Sequence, residues 1–392
     1  MNRLLEVLKV SFRLGLTSFG GPIAHLAYFR EEYVKRRRWL TEESYADLVA
    51  LCQFLPGPAS SQVGIAIGIG RAGLLGGLLA WVGFTLPSVV LLLAFAYVLQ
   101  GLDVTDAGWL HGLMIAAVAV VAQAVWGMAA KLANGKATAA IAIASAVAAL
   151  LVPSPFVQAG IIAASGLLGW RCLRANDAQL SEPLPSTISR RTGAYFLAAF
   201  GVLLLALPLL RTAVAGHGLA LFDSFYRAGA LVFGGGHVVL PLLQQSVVPA
   251  GWMTDGQFLA GYGAAQAVPG PLFTLAAYLG FVSGPAPNGI AGGLLAVAAI
   301  FLPAFLLVAG ALPFWNVIRS KPAFRSALSG INAGVVGILT AALYDPVWTS
   351  AIHTGSDFAL ALIAFGLLVA WKLPPWVVVA VSALGGIALT YI

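Results

Sequence analysis

The sequence predicts an all-α polytopic membrane protein. It reads as an inverted-topology internal repeat of two six-segment halves joined by one extra transmembrane helix, with helix breaks or re-entrant hairpins at FGG and PGP motifs. Three observations carry this. With 60% hydrophobic residues, 9% charged residues and a mean hydropathy of +0.93 over 392 residues, the chain has more apolar surface than one water-soluble core could bury. A bilayer-spanning helix needs about 20 mostly apolar residues, and such windows recur near 5–29, 46–70, 74–100, 109–131, 137–152 and 155–172, then 193–212, then 219–247, 257–282, 289–312, 325–345, 357–371 and 374–392. Finally, motifs of the first six windows return in order in the last six.

That return can be read residue by residue. Phe12-Arg13 and Gly15 match Tyr226-Arg227 and Gly229; FGG at 19–21 matches FGG at 233–235; WLT at 39–41 matches WMT at 252–254. Gln53 and PGP at 56–58 match Gln266 and PGP at 269–271, and Gly76-Gly77 and Pro87 match Gly292-Gly293 and Pro303. An ordered series of this kind marks a duplication. The longest polar stretch, 173–192, divides the chain into an N-terminal repeat (1–172), a linker with one transmembrane helix (173–217) and a C-terminal repeat (218–392). Six segments plus one make an odd number, so the second unit enters the membrane from the opposite side, as in many secondary transporters.

The net charge of +7 comes from basic residues at segment ends. This is the positive-inside pattern rather than a nucleic-acid surface. If every segment spans, Arg71, Lys131, Lys136, Arg171, Arg174, Arg190, Arg191, Arg319, Lys321, Arg325 and Lys372 share the cytoplasmic face, and only REEYVKRRRW at 30–39 dissents. The dissent disappears if the segments carrying FGG and PGP are re-entrant, because both flanks of each then stay on one side. Ordinary spanning helices with one exceptional loop are the alternative.

Breaks in a membrane helix are tolerated only where the freed backbone faces protein, water or ligand. Gly20-Gly21-Pro22 and Pro56-Gly57-Pro58 cannot continue a regular helix, and Gly234-Gly235-Gly236 and Pro269-Gly270-Pro271 are their counterparts. Half-helices meeting at such breaks aim N–H groups at a central cavity and suit an anion. Arg13 and Arg227 lie in apolar segments, six residues before each FGG, and offer a donor fork for an oxyanion; pairing with Glu6 or Asp223 is the structural alternative. Gln53 and Gln266, with Ser60, Ser61, Gln62 and Thr274, supply neutral ligands or interhelical glue. His25, His237 and Asp47 are coupling candidates, while His111, His217 and His353 lack metal-ligand spacing. Gly64, Gly68, Gly76 and Gly77 read as close-packing positions. Thr41 and Thr254 read as helix N-caps, the latter in a capping box with Gln257. Cys52 and Cys172 are isolated, so neither a disulfide nor a thiolate metal site is expected.

SFGGPIAH (18–25), QFLPGPASSQ (53–62), FGGGHVVLPLL (233–243) and QAVPGPLFTLAAYLG (266–280) together resemble the paired signatures of the chromate ion transporter family in its long-chain, two-domain form. The resemblance implies a bacterial inner-membrane exporter of chromate with antiparallel halves and no cofactor, whose partners are the lipid bilayer and an inorganic oxyanion; some members are linked to sulfate. The residues themselves support an anion transporter with inverted repeats, and the resemblance implies a tetrahedral oxyanion, with a sulfate transporter or an anion channel of the same architecture as alternatives. The sequence has no GxxxxGK[ST] loop, and its scattered acids make no catalytic constellation.

Overall fold

The computed structural model describes residues 3–18, 21–100, 108–152, 155–173, 188–214, 216–233, 239–315 and 321–390. Every described element is a helix. The first half runs α1 (Arg3–Thr17), α2 (Gly21–Phe29, continued by a π-helical turn Arg30–Arg36), α3 (Glu42–Phe54), α4 (Ala59–Gln100), α5 (Gly108–Leu132), α6 (Lys136–Leu151) and α7 (Pro155–Cys172). A linking helix α8 (Arg190–Ala213) follows. The second half runs α9 (His217–Leu231), α10 (Val239–Val247), α11 (Asp255–Ala267), α12 (Leu275–Val282), α13 (Gly289–Ala311), α14 (Pro322–Ala342), α15 (Gly355–Val369) and α16 (Pro375–Leu389).

Five described helical stretches are long and apolar enough to cross a bilayer: 59–100, 108–132, 190–213, 289–314 and 322–351. The chain is a multi-pass membrane protein. The apolar window of α8 is 11% buried, which puts it at the lipid-facing rim, whereas that of the 289–314 stretch is 72% buried and forms the centre of the packing.

Two expected segments divide in the structure. The window 5–29 is split by the break at 18–20 into α1 and α2, and 46–70 is split by PGP into α3 and the start of α4. At about 1.5 Å per residue, the 15 residues of α1 and the 13 of α3 reach only about 20–22 Å, short of the roughly 30 Å hydrocarbon core. Helix α4 turns back on itself at Ala72 and Gly73, the latter at φ +70°. Its arms close so tightly that a Cβ on Gly68 would sit 2.4 Å from the Gly76 carbonyl oxygen, and one on Gly76 would sit 2.3 Å from that of Gly68. Helices α12 and α13 make the same contact: a Cβ on Gly280 or Gly292 would meet the other's carbonyl oxygen at 2.3 Å.

The ends of the divided segments meet. Arg37 and Arg71 donate to the two carboxylate oxygens of Glu6 at 3.1 and 3.3 Å, and both guanidinium groups lie over the Trp39 ring. The start of α1, the 30–41 connection and the tip of α4 are therefore brought together. In the second half His217 donates to, or accepts from, Ser283 at 2.7 Å and packs edge-on against Trp252, while the Gly284 amide donates to the Trp252 carbonyl. The same three places in the chain come together, with Trp252 where the first half has Trp39.

The halves also exchange partners. Helix α5 packs against α15 and α16, and α14 packs against α6 and α7. A Cβ on Gly112 would lie 2.1 Å from the Ser382 carbonyl oxygen, and one on Gly330 would lie 2.1 Å from that of Ser165. Such contacts between small residues let membrane helices approach at backbone distance.

Candidate functional site

Each PGP turn lies against the other half, beside the end of that half's first helix. Thr41 and Thr254 start α3 and α11 as N-caps, accepting from the amides of Ser44 and Gln257, with the capping box closed at Thr254. Each helix then ends at a PGP whose glycine adopts a left-handed conformation, Gly57 at φ +122° and Gly270 at φ +103°. The Gly57 amide donates to the Val232 carbonyl at 2.6 Å, beside the FGG of the other half, and the Gly270 amide donates to the Ser18 carbonyl at 2.8 Å. These two N–H groups are thus consumed by cross-half bonds rather than aimed at a ligand. A Cβ on Gly270 would lie 2.1 Å from the Ser88 hydroxyl oxygen, and that hydroxyl donates to the Pro269 carbonyl at 2.5 Å.

Buried polar side chains lie on the elements around the first-half break. His25 is 1% exposed; its Nδ1 is 3.3 Å from the Ser60 hydroxyl and its ring stands edge-on to Phe84. The hydroxyls of Ser18, Ser61 and Thr85, the Gln62 carbonyl oxygen and His25 Nε2 are buried without a hydrogen-bond partner. Thr85 follows Phe84 in the second arm of α4, and Ser60, Ser61 and Gln62 occupy the first turn of its first arm. That turn adds N–H groups with no intrahelical acceptor. Buried polar groups left unpaired cost about 1–3 kcal/mol each, and these five lie on the elements that flank the first-half break. The second half does not reproduce the cluster, because Val239 and Phe301 stand where the first half has His25 and Thr85.

The remaining sequence-predicted residues fall as follows. Arg13 is 56% exposed at its side chain and lies 3.9 Å from Glu32, so it joins the charged face rather than the cluster. Arg227 donates to fully buried Asp223 at 2.7 Å, and Arg211 of α8 approaches the same carboxylate at 3.6 Å. The two arginines are therefore not brought together: α9 carries Asp223 one turn before Arg227, and that pair docks the linking helix. Gln53 is exposed, Gln266 is half-buried with its Nε2 unpartnered, and Thr274 is buried with its hydroxyl donating to the Pro271 carbonyl at 2.7 Å. Asp47 is buried on α3 and has a partner. Gly21 is at φ +77° with open space around it. Gly20, Gly234, Gly235 and His237 lie outside the described residues. Ser18, Thr85 and Ser88 were not singled out from the sequence; the mid-membrane hydroxyls beside Pro87 were the available signal.

On the face carrying the 30–41 connection, burial pushes the Glu32 carboxyl up, but the hydrogen bond from Arg37 and the charges of Arg37, Arg36 and Arg13 outweigh it and hold the group below its usual range.

The family described as chromate transporter matches residues 5–170 and 219–387. The chain belongs to the chromate transporter family. Among curated relatives, the chromate transport protein of Pseudomonas aeruginosa is 32% identical over 95% of this chain and 89% of its own length. That of Cupriavidus metallidurans is 29% identical over 98% and 92%, and the probable chromate transport protein of Synechococcus elongatus is 27% identical over 98% and 95%. No solved structure matches the chain. Chromate transporter relatives are transport proteins, so this chain is an ion transporter and not an enzyme.

Proposed function

We propose that this protein is a secondary transporter that exports chromate across the bacterial inner membrane, with the buried polar cluster between α1, α2 and α4 as its anion site. The observation that carries the reading is the pair of crossed bonds, Gly57 to Val232 and Gly270 to Ser18, beside five unpartnered buried polar atoms. A site pinned by each half to the break of the other is placed to change shape when the halves rock, which is how repeat-built transporters expose one site to two sides. The recurrence of the same contacts in both halves, and the near-equal lengths of the two matched stretches, support a duplication with inverted topology.

Charge favours outward movement. The 30–42 connection carries Arg30, Lys35, Arg36, Arg37 and Arg38, whereas its counterpart 244–256 carries no basic residue. A basic entrance concentrates anions, and the positive-inside rule puts it in the cytoplasm. A negative interior then drives each exported negative charge by about 2.3 kcal/mol per 100 mV, so export needs no ATP.

The test is chromate uptake into everted inner-membrane vesicles under an imposed inside-positive potential, with sulfate as competitor. Saturable, potential-driven accumulation supports the reading. Sulfate flux without chromate flux would keep the architecture and remove the substrate; flux that does not saturate would make the protein a channel.

A further inference from the structure

The buried cluster contains acceptors as well as donors, and this bears on which form of an oxyanion it holds. Its hydroxyls, on Ser18, Ser61 and Thr85, are 0–2% exposed and can donate to oxyanion oxygens. Two other atoms, the Gln62 carbonyl oxygen and His25 Nε2, are unpartnered as well. The Gln62 oxygen is fixed as an acceptor, since the other end of its amide donates to the Pro56 carbonyl at 2.7 Å. In the tautomer whose Nδ1 proton is given to the Ser60 hydroxyl oxygen, Nε2 also presents a lone pair.

Burial and a hydrogen bond to the Ser18 backbone, rather than any charged side chain, act on the ring. Of the titratable groups on the elements around α2, Tyr33 bonds the Ser11 hydroxyl and Tyr45 donates to the Leu26 carbonyl. Cys52 is buried on α3, Asp47 has a partner, and Glu32 and Arg13 are paired at the charged face. Arg227, the counterpart of Arg13, is committed to Asp223. Among the described residues, a fully ionised dianion would therefore enter a buried site that offers it no formal positive charge and sets the Gln62 carbonyl oxygen against its oxygens, joined by His25 Nε2 in the tautomer protonated on Nδ1. A tetrahedral oxyanion that keeps one proton has half the charge to desolvate and has an O–H to give to an acceptor.

We infer that the site selects the singly protonated form of its oxyanion, hydrogen chromate, with His25 Nε2 and the Gln62 carbonyl oxygen as the specificity-determining acceptors. The inference rests on the anion-site reading given above. It supplies a basis for discrimination that shape and charge alone lack: chromate takes up a proton near neutral pH, and sulfate does so only in strong acid. The proton then leaves with the substrate, and one charge moves per chromium instead of two.

The experiment is chromate uptake into everted vesicles holding the full-length protein, with equal pH on both sides and the potential clamped, from pH 6 to 8.5. Sulfate (a dianion without a proton) and perrhenate (a tetrahedral monoanion without a proton) serve as competitors. The expected rate at subsaturating chromate follows the hydrogen chromate concentration, falling about tenfold per pH unit at the alkaline end, with both competitors weak. His25→Ala should raise the apparent KM for chromate about tenfold and narrow its advantage over perrhenate; His25→Gln, which keeps an acceptor, should retain more of both. Chromate flux that is flat across this range overturns the inference while leaving the transporter reading intact. Perrhenate competing as well as chromate in the wild type overturns the role of the acceptors, since charge alone would then be read. Absence of chromate flux at every pH removes the anion-site reading itself, and this inference with it.

Discussion

The amide of Gly57 donates to the carbonyl of Val232 at 2.6 Å, and its counterpart Gly270 donates to Ser18 at 2.8 Å. Each half thus closes its own proline turn on the broken helix of the other, and neither break is complete without its partner half. Both glycines sit in the left-handed region, where a side chain is strained.

That strain predicts an asymmetric pair of mutants. Gly57→Ala meets the flexible end of Gln62 at 2.9 Å, whereas Gly270→Ala meets the Ser88 hydroxyl at 2.1 Å. Both should cost about 1–3 kcal/mol from backbone strain, and Gly270→Ala should cost more. Removing the hydroxyl with Ser88→Ala should recover part of the Gly270→Ala loss. Thermal melting of the four variants in detergent gives the coupling directly; additive losses would mean that the Ser88 contact does not restrict position 270.

The two matched arginines should behave differently. Asp223 is fully buried between Arg227 and Arg211, so Arg227→Ala leaves a buried charge half-compensated and should destabilise by roughly 3 kcal/mol. Arg227→Gln combined with Asp223→Asn should recover much of this. Arg13 is exposed and 3.9 Å from Glu32, so Arg13→Ala should change stability by no more than about 1 kcal/mol. Chemical or thermal unfolding of the purified protein distinguishes the two.

Glu32 sets a pH dependence. Its carboxyl is held below the usual range by Arg37, Arg36 and Arg13 against the opposing effect of burial. A depressed folded-state pKa contributes stability above the unfolded value, near 4.3 for Glu, and loses it as pH falls through the folded value. Wild type should therefore melt above Glu32→Gln at neutral pH, and the gap should close on acidification below about pH 4. A gap that persists unchanged into strong acid would mean that the pairing is not what stabilises this face.

The interlocking of the halves yields a prediction of its own. Gly112→Ala and Gly330→Ala each place a methyl group about 2.1 Å from a carbonyl oxygen of the partner helix, on Ser382 and Ser165 respectively. Both should lower the melting temperature by several degrees, in the range expected for an overpacked core position. Variants that melt like wild type would show that these helix pairs are not close-packed.

Much of this architecture was legible in the sequence, for identifiable reasons. FGG and PGP break helices whatever surrounds them, so their spacing placed the four breaks, and the N-caps at Thr41 and Thr254 followed from local chemistry alone. Gly68, Gly76 and Gly77 do pack at backbone distance, whereas Gly64 faces the Phe29 ring at 3.7 Å. The exchange of α5 and α14 between halves was not legible, because small residues accept many helix partners and only tertiary packing selects one. Arg13 and Arg227 looked equivalent in the alignment of the halves, yet Asp223 has Lys9 as its counterpart, and that one difference buries the first pair and leaves the other at the surface. Thr85 and Ser88 were hidden because a hydroxyl in an apolar helix ordinarily bonds its own preceding turn.

The central claim is that the cluster of Ser18, Ser61 and Thr85 binds the transported oxyanion. The measurement that tests it most directly is the apparent KM for chromate in everted vesicles carrying Ser18→Ala, Ser61→Ala or Thr85→Val, with insertion and melting temperature matched to wild type. KM should rise by about tenfold or more in each, as expected for the loss of a hydrogen bond to a charged ligand. KM values unchanged in all three would contradict it and move the substrate path elsewhere in the protein.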